Sequence, residues 1–256
     1  MASPSKYTLH GHINIPARTH NDGEEWAGDS VEQRQIHFQA SLWPTMMVEK
    51  WEVVMDACLA LSEEGRDSCI EVIRKGYPFD PRARPREVKG GDRHPERDGK
   101  ADAIDCWADD HYAKMRVFCR DGFINRFTGE PLIFPAVLRL LSKELPRDFP
   151  FQQYWRPEGT HIAYHEMGAL VTHLVPLSRG GKKEEENLVT TTMPYLLART
   201  DKTIEESGWR LTWEGFVDEW DGMSTWYVDY VKDNEDLRDV NFLNLWFNAA
   251  KSVLRL

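Results

Sequence analysis

At 256 residues the chain is long enough for one large domain, or for a small domain with substantial additions. Hydrophobic residues make up 41% of it and include ten tryptophans, which is ample for a core and excludes overall disorder. The formal net charge of −10 disfavours a protein that coats DNA without sequence preference, because such binding depends on neutralising phosphates.

The cysteines and the hydropathy pattern bear on where in the cell the protein works. Cys58, Cys69, Cys106 and Cys119 are widely spaced and form no Cys-x-x-Cys pair, so we expect reduced thiols rather than a disulfide framework. No apolar run follows Met1, and no stretch approaches the roughly 18 apolar residues of a membrane-spanning helix. We therefore expect a soluble, cytoplasmic protein with no membrane segment.

The first half of the chain contains two predicted helices. Residues 1–43 are polar, and His10 and His12 form a His-x-His pair that could ligate metal, although a strand pattern or exposed surface is the simpler interpretation. From residue 45 onward apolar side chains recur at helical spacing up to Gly65, and a shorter helix through Ile70 follows. Both apolar stripes are most simply core.

Residues 76–100 are rich in proline and glycine and indicate a loop. Residues 74–100 carry nine basic against five acidic residues, a net charge of +4, whereas residues 201–240 carry four basic against twelve acidic residues, a net charge of −8. Either both segments are solvated surface, or the basic one contacts a phosphate backbone.

The second half of the chain is predicted to be mainly helical. Residues 101–118 and 135–145 have helical patterns, residues 209–213 suggest a short strand, and residues 223–231 and 240–254 indicate two closing helices rich in aromatic residues. No internal repeat is present.

The most informative stretch begins at residue 170. A β-branched and apolar run contains His173. Pro176 and the Gly180–Gly181 pair then end this run in a turn, and a charged loop leads to Asn187. We expect a helix to start after Asn187, at the apolar and threonine-rich sequence LVTT. The simplest structural interpretation is a hydrogen-bonded strand histidine and a helix-cap asparagine.

Further segments appear in a recognisable order with this stretch. They are Arg120-Asp-Gly-Phe-Ile-Asn-Arg-Phe-Thr-Gly129, Thr160-His-Ile-Ala-Tyr164, His173-Leu-Val-Pro-Leu-Ser-Arg-Gly-Gly181, Asn187-Leu-Val-Thr-Thr191 and Trp220-Asp-Gly222. The order resembles a group of bacterial proteins classed as HNH endonucleases, over residues 115–235. Residues 1–110 resemble nothing specific.

The resemblance implies an α+β fold, with a ββα-metal (HNH) core embedded in a mainly helical protein. We divide the chain into a mostly helical N-terminal region at residues 1–110, which includes the loop at 76–100, an HNH-like core at 111–203 and a C-terminal helical wrap at 204–256.

The resemblance also implies a chemistry. A divalent metal (Mg²⁺, Mn²⁺ or Zn²⁺) would act as Lewis acid on a phosphodiester of DNA or another nucleic acid. His173 would be the general base, since imidazole titrates near working pH, and the amide of Asn187 would hold the loop to the strand. Four cations are candidates for contacting substrate: Arg120, Arg179, Lys182 and Lys183.

Two metal-ligand positions depart from the family pattern. Thr172 stands where the family has an acidic or histidine ligand, and Leu196 stands where it has a histidine or asparagine. Thr200 or the adjacent Asp201 could replace Leu196 as a ligand. His161 and His165 stand four residues apart, a spacing that puts both on one face of a helix or of a strand, and are the alternative metal ligands.

A third departure concerns a zinc knuckle. Asn125 and Thr128 occupy the positions of two knuckle cysteines, and neither can supply a thiolate. We therefore expect this region to need no structural zinc and to be held by packing. Four apolar residues are available for that: Phe123, Phe127, Ile133 and Phe134.

Three functional hypotheses remain open at this point. The chain is a metal-dependent endonuclease, weakened or lost in activity, or an inactive HNH scaffold that binds nucleic acid or a protein, or a pocket repurposed for other chemistry. The substrate and the oligomeric state do not follow from the sequence.

Overall fold

The computed structural model describes residues 49–88, 110–199 and 201–256. Some predictions concern residues outside these ranges: the His10–His12 pair, Cys106, Thr200 and most of the helix predicted at residues 101–118. The described elements, in chain order, are α1 (Lys50–Glu63), α2 (Arg66–Gly76), α3 (His111–Asp121), α4 (Pro135–Glu144), α5 (Ala163–Glu166), β1 (Leu170–His173), β2 (Leu188–Thr191), α6 (Met193–Arg199), α7 (Ser224–Asp233) and α8 (Asn241–Leu254).

The first two helices form as the hydrophobic pattern predicts. Glu49 and Glu52 make a capping box at the start of α1, which satisfies backbone N–H groups that a helix leaves open at its N-terminus. Gly65 separates the helices at a φ of 98°, a conformation that glycine adopts without strain. After α2 the described residues 78–88 form turns and extended chain, as expected for the loop.

The next helix, α3, is fixed at both ends. The side chain of Asp110 accepts hydrogen bonds from the N–H groups of Tyr112 and Ala113, and Gly122 ends the helix at a φ of 67°. A Cβ at Gly122 would lie 2.2 Å from the carbonyl carbon of Gly215. Only glycine therefore allows α3 to end against that segment.

The helix predicted at residues 135–145 is confirmed as α4. Pro135 occupies its first turn, where a missing N–H costs nothing, and the side chains of Leu138 and Leu141 are fully buried.

The only sheet in the described residues is an antiparallel pair of β1 and β2, with Thr172 opposite Val189 and His173 opposite Leu188. The expectation that a helix begins directly after Asn187 is wrong, because residues 188–191 form β2 and the helix α6 begins at Met193. Val189, Thr190 and Thr191 are β-branched and all buried, and such residues favour a strand over a helix. The observed order is thus strand, loop, strand, helix.

The closing helices α7 and α8 are confirmed within a few residues of their predicted bounds. The short strand expected at residues 209–213 is wrong, since this extended segment joins no sheet. It is instead held to Arg126. The N–H and the hydroxyl of Thr212 donate to the carbonyl of Arg126 over 2.7 and 3.1 Å, and the guanidinium of Arg126 donates to the carbonyl of Thr212 over 3.0 Å.

One hydrophobic core runs through the described residues and takes side chains from α1 to α8. The rings of Trp51 in α1 and Trp220 before α7 lie 4.9 Å apart, and the indole N–H of Trp226 donates to the hydroxyl of Ser62 over 2.7 Å. Helices with one small antiparallel sheet make an α+β fold, as expected. Among the described helices, none has the length and apolar character that crossing a membrane requires.

Candidate functional site: the loop between β1 and β2

Asn187 closes the loop that joins the two strands. Its side-chain carbonyl accepts from the N–H of Val175 over 2.8 Å, and its amide N–H₂ donates to the carbonyls of Val175 (3.0 Å) and Lys182 (2.8 Å). A Cβ at Gly181 would lie 1.9 Å from the Val175 carbonyl oxygen, so glycine is required for this close approach. The amide therefore holds the loop to the end of β1, as its residue type predicts.

His173 is the last residue of β1 and is half-buried, directly opposite Leu188. The backbone N–H of the next residue, Leu174, donates to the carbonyl of Asn187 over 2.7 Å. His173 and Asn187 thus stand at the two ends of one loop, joined by backbone pairing. The carbonyl of His173 accepts a hydrogen bond from the guanidinium of Arg199 in α6.

The two positions where the family would hold metal are buried in this chain. Thr172 is 5% exposed, and Leu196 is 5% exposed and forms part of the wall of an apolar cavity. Asp201, the alternative ligand, lies 3.9 Å from the guanidinium of Arg179. A neutral hydroxyl and an aliphatic side chain do not make the oxygen-rich site that a hard divalent cation needs. The residues present at this position do not fit a metal.

His161 is a structural residue in this fold. It is fully buried and stacks on Phe149 with ring centroids 4.1 Å apart. Its Nε2 lies 2.8 Å from the carbonyl of Tyr77, to which it donates, and its Nδ1 accepts from the N–H of Ala163 over 3.2 Å. Burial lowers the pKa of His161 to about 4, which keeps the ring neutral. With both nitrogens engaged, it has no lone pair left for a metal.

His165 does not pair with His161. It lies within α5 at 4% exposure, with its ring edge-on to Trp155 at 5.6 Å, whereas His161 precedes that helix. Burial lowers the pKa of His165 as well. The neighbouring Glu166 is held by the ammonium of Lys50 (2.7 Å) and by the hydroxyl of Tyr77. Within residues 49–88, 110–199 and 201–256, no three His, Cys, Asp or Glu side chains gather where they could hold a metal ion.

The cations expected to contact phosphates have protein partners. Arg120 donates to the carbonyls of Glu185 (2.9 Å) and Leu188 (2.6 Å) and pairs with Asp121, so it fastens α3 to the sheet. Two loop cations lie near acids: Arg179 beside Glu206 at 3.7 Å, and Lys182 beside Glu184 at 3.6 Å. Lys183 is exposed. The loop surface is therefore mixed in charge.

The basic segment at residues 74–100 shows the same pattern in its described part. Arg74 pairs with Asp148 at 2.7 Å, Arg84 with Glu158 at 3.0 Å and Arg86 with Glu130 at 3.6 Å. These exposed ion pairs offset much of the positive charge that the sequence shows.

Two buried charges that sequence reasoning missed organise the site. Asp121 is fully buried, accepts from the N–H of Thr190 over 2.7 Å and pairs with Arg126 at 2.8 Å, which ties the end of α3 to β2. Arg199 is 2% exposed and donates to the carbonyls of His173 and Leu174 at the end of β1. The Arg-Asp-Gly sequence was a signal for Asp121, whereas nothing local marked Arg199.

At the knuckle positions, Asn125 is 1% exposed and its side-chain carbonyl accepts from the N–H of Phe127 over 3.2 Å. The ring of Phe127 stacks on Tyr195 of α6 with centroids 5.6 Å apart and lies 5.1 Å from that of Trp209. Of the residues expected to support this region by packing, Phe123, Ile133 and Phe134 are fully buried and Phe127 is half-buried.

Comparisons with family models, with curated proteins and with solved structures found no match to this chain.

Proposed function

We propose that this chain is an HNH endonuclease-like protein that does not hydrolyse phosphodiester bonds. It keeps the ββα unit, formed by β1, β2 and α6, and the loop between the strands as a folded scaffold. The observation that carries the proposal is the loop itself: Asn187 ties the chain after His173 to the start of β2, and α6 follows directly. These are the residue types and the order in which the resemblance places a base and its orienting residue.

Loss of hydrolysis is inferred from the surroundings of His173. Thr172 and Leu196 are buried and offer no anionic ligand, and the guanidinium of Arg199 brings a positive charge to the end of β1. A base without a Lewis acid loses stabilisation of the charge that develops on the phosphate, which removes several orders of magnitude in rate. We therefore expect the unit to serve as a binding scaffold.

The partner is better matched to a protein surface than to nucleic acid. The net charge is −10, and Arg179 and Lys182 in the loop lie within 4 Å of carboxylates. Tight binding to DNA draws on several cations that are free to neutralise phosphates. A gel-shift titration with duplex DNA at moderate ionic strength should show no retention.

Residual endonuclease activity is the second candidate, favoured by the half-exposed position of His173 at the end of its strand. A nicking assay on supercoiled plasmid with Mg²⁺, Mn²⁺ or Zn²⁺ separates the two candidates. The assay compares the wild type with His173→Ala, with Thr172→Asp and Leu196→Asn singly, and with both of these together.

We expect no nicking by the wild type and metal-dependent nicking by the double variant alone. A second readout is independent of activity: Mn²⁺ should raise the Tm of the double variant and leave that of the wild type unchanged, since a ligand that binds only the folded state stabilises it. Wild-type nicking that is abolished by His173→Ala would instead establish an active enzyme with a different ligand set. If the double variant folds but neither binds metal nor nicks, the HNH-like assignment is wrong.

A further inference from the structure

A second feature of the molecule is a cavity of about 700 Å³ that reaches Leu170 and Val171 of β1. It lies between α3, α4, β1 and α8, and Leu196 of α6 closes one side. Most of its wall is apolar, and the lining residues include Phe118, Leu138, Trp155, Val171 and Trp246. This size and lining are typical of sites for small molecules, which are mostly apolar with a few polar groups that fix orientation.

One charged side chain in the wall, Arg139 of α4, has an unusual environment. Its guanidinium carbon lies 3.8 Å from the ring centroid of Phe151 and 5.4 Å from that of Phe242. Within the described part of the chain it forms no ion pair with a carboxylate, in contrast to the arginines at positions 74, 84, 86, 116, 120 and 126. It is half-buried, so this charge is partly withdrawn from water.

The two rings determine how Arg139 can be used. Aromatic rings interact with the flat faces of a guanidinium by cation–π attraction. Its N–H donors lie in the guanidinium plane, and two of them match the two oxygens of a carboxylate. Arg139 packs on aromatic rings and meets the hydroxyl of Tyr164, but has no carboxylate partner among the described residues. Its remaining N–H donors are therefore available to an anion that approaches edge-on.

The charges in the cavity wall also favour an anionic ligand. Lys114 of α3, which is 9% exposed, also lines the cavity, and no aspartate or glutamate is among the lining residues, although the chain as a whole carries a net charge of −10. A cavity with cations and no acids attracts anions and disfavours cations. Because the rest of the wall is mostly apolar, the bound molecule should also have an apolar part.

We propose that this cavity binds an apolar molecule ending in one carboxylate, such as a medium-chain fatty acid, with the carboxylate on the edge of the Arg139 guanidinium and the chain among Phe118, Trp155 and Trp246. The site is open at Gln153, Asn241 and Leu245, all of which are exposed. It does not depend on the HNH-like assignment, because ligand binding here involves neither His173 nor a metal.

The test is isothermal titration of the full chain with three probes of equal chain length: decanoate, decanol and decylamine, each below its micellar concentration. We expect decanoate to bind at least about tenfold more tightly than decanol, the size of effect expected from a charge-assisted hydrogen bond, and decylamine to bind most weakly. Arg139→Gln should reduce decanoate affinity to that of decanol and leave decanol unchanged. The matched control is Arg147→Gln, an exposed arginine beyond the end of α4, which should change neither.

Each contrary result overturns the proposal. If the full chain binds none of the three probes, the cavity is not a site for this class of ligand. If all three bind equally, or if Arg139→Gln leaves the preference for decanoate intact, the assignment of Arg139 as the carboxylate contact is wrong. A thermal melt of each variant establishes that any loss of binding occurs in a folded protein.

Discussion

His161 illustrates how burial decides the role of a single residue. A histidine next to other titratable groups is a reasonable metal or acid–base candidate, since its ordinary pKa lies near neutrality. In this fold it is stacked on Phe149, fully buried and hydrogen-bonded through both nitrogens. Its effect is therefore on the stability of the protein rather than on chemistry.

The lowered pKa of His161 predicts acid sensitivity. The folded chain keeps this ring neutral down to about pH 4, whereas in the unfolded chain it takes up a proton from about pH 6.5 downward. The unfolded state thus binds more protons between these values, so the free energy of unfolding falls as pH falls, by roughly 3 kcal/mol from this one group. His165 acts in the same direction.

Urea unfolding at about pH 7.5 and about pH 4.5 measures this difference. Compared with wild type, His161→Gln should lose distinctly less stability between the two pH values, although it starts from a lower value because it loses the stacked ring. Equal losses in the two proteins would show that His161 is protonated in the folded state or does not titrate in this range.

At the scale of elements, aromatic packing joins the turn after α3 to α6. Phe127 leaves the turn after α3 and meets Tyr195 and Trp209, so one half-buried ring joins three segments that are distant in sequence. Such aromatic contacts add stability beyond the area they bury. We therefore expect packing to hold this segment in position without thiolate ligands.

The prediction at this scale is that Phe127→Ala lowers the free energy of unfolding by about 2–4 kcal/mol, through lost burial and lost ring contacts. Trp213→Ala is the control, because that side chain is 93% exposed and its loss should change the free energy of unfolding by less than about 0.5 kcal/mol.

A chelator should leave the wild-type Tm unchanged in a thermal melt. A fall of many degrees on chelation would mean that a metal supports this fold.

At the scale of the whole molecule, the ββα unit does not stand apart from its surroundings. Core side chains of α1 and α2, including the fully buried Ile73, belong to the same cluster as those of α7 and α8. Lys50 at the start of α1 reaches Glu166 of α5, which adds a polar contact between the N-terminal helices and the segment that precedes β1. The core therefore takes side chains from both sides of residues 110 and 203, and the division at these residues stays a prediction from the sequence resemblance.

This shared core predicts that a fragment spanning residues 110–256 does not fold cooperatively. Removing α1 and α2 exposes the apolar surface around Trp220 and Trp226 and leaves the indole N–H of Trp226 without Ser62. Circular dichroism should show a broad thermal transition for the fragment and a sharp one for the full chain, and the fragment should bind a hydrophobic dye. A fragment that melts sharply near the Tm of the full chain would mean that the unit is an independent domain.

The sequence by itself located five of the described helices and the residues at the two ends of the loop. Apolar spacing located α1, α2, α4, α7 and α8, because a helix that packs on a core must repeat every 3.6 residues. It also indicated that the amide of Asn187 holds the loop, since few side chains can both donate to and accept from the backbone. These features depend on neighbours near in sequence.

The tertiary structure decided what the charged and ligand-type residues do. Arg120 became a link between α3 and β2, His161 a buried stacking partner and Leu196 part of a cavity wall. Residue type, spacing and the family resemblance had suggested phosphate contact, metal ligation and a lost ligand. The second strand, where we expected a helix, pairs with β1 and receives a further contact from the buried carboxylate of Asp121. The physical reason is that burial and long-range pairing set the environment of a side chain, and neither is encoded in its immediate neighbours in sequence.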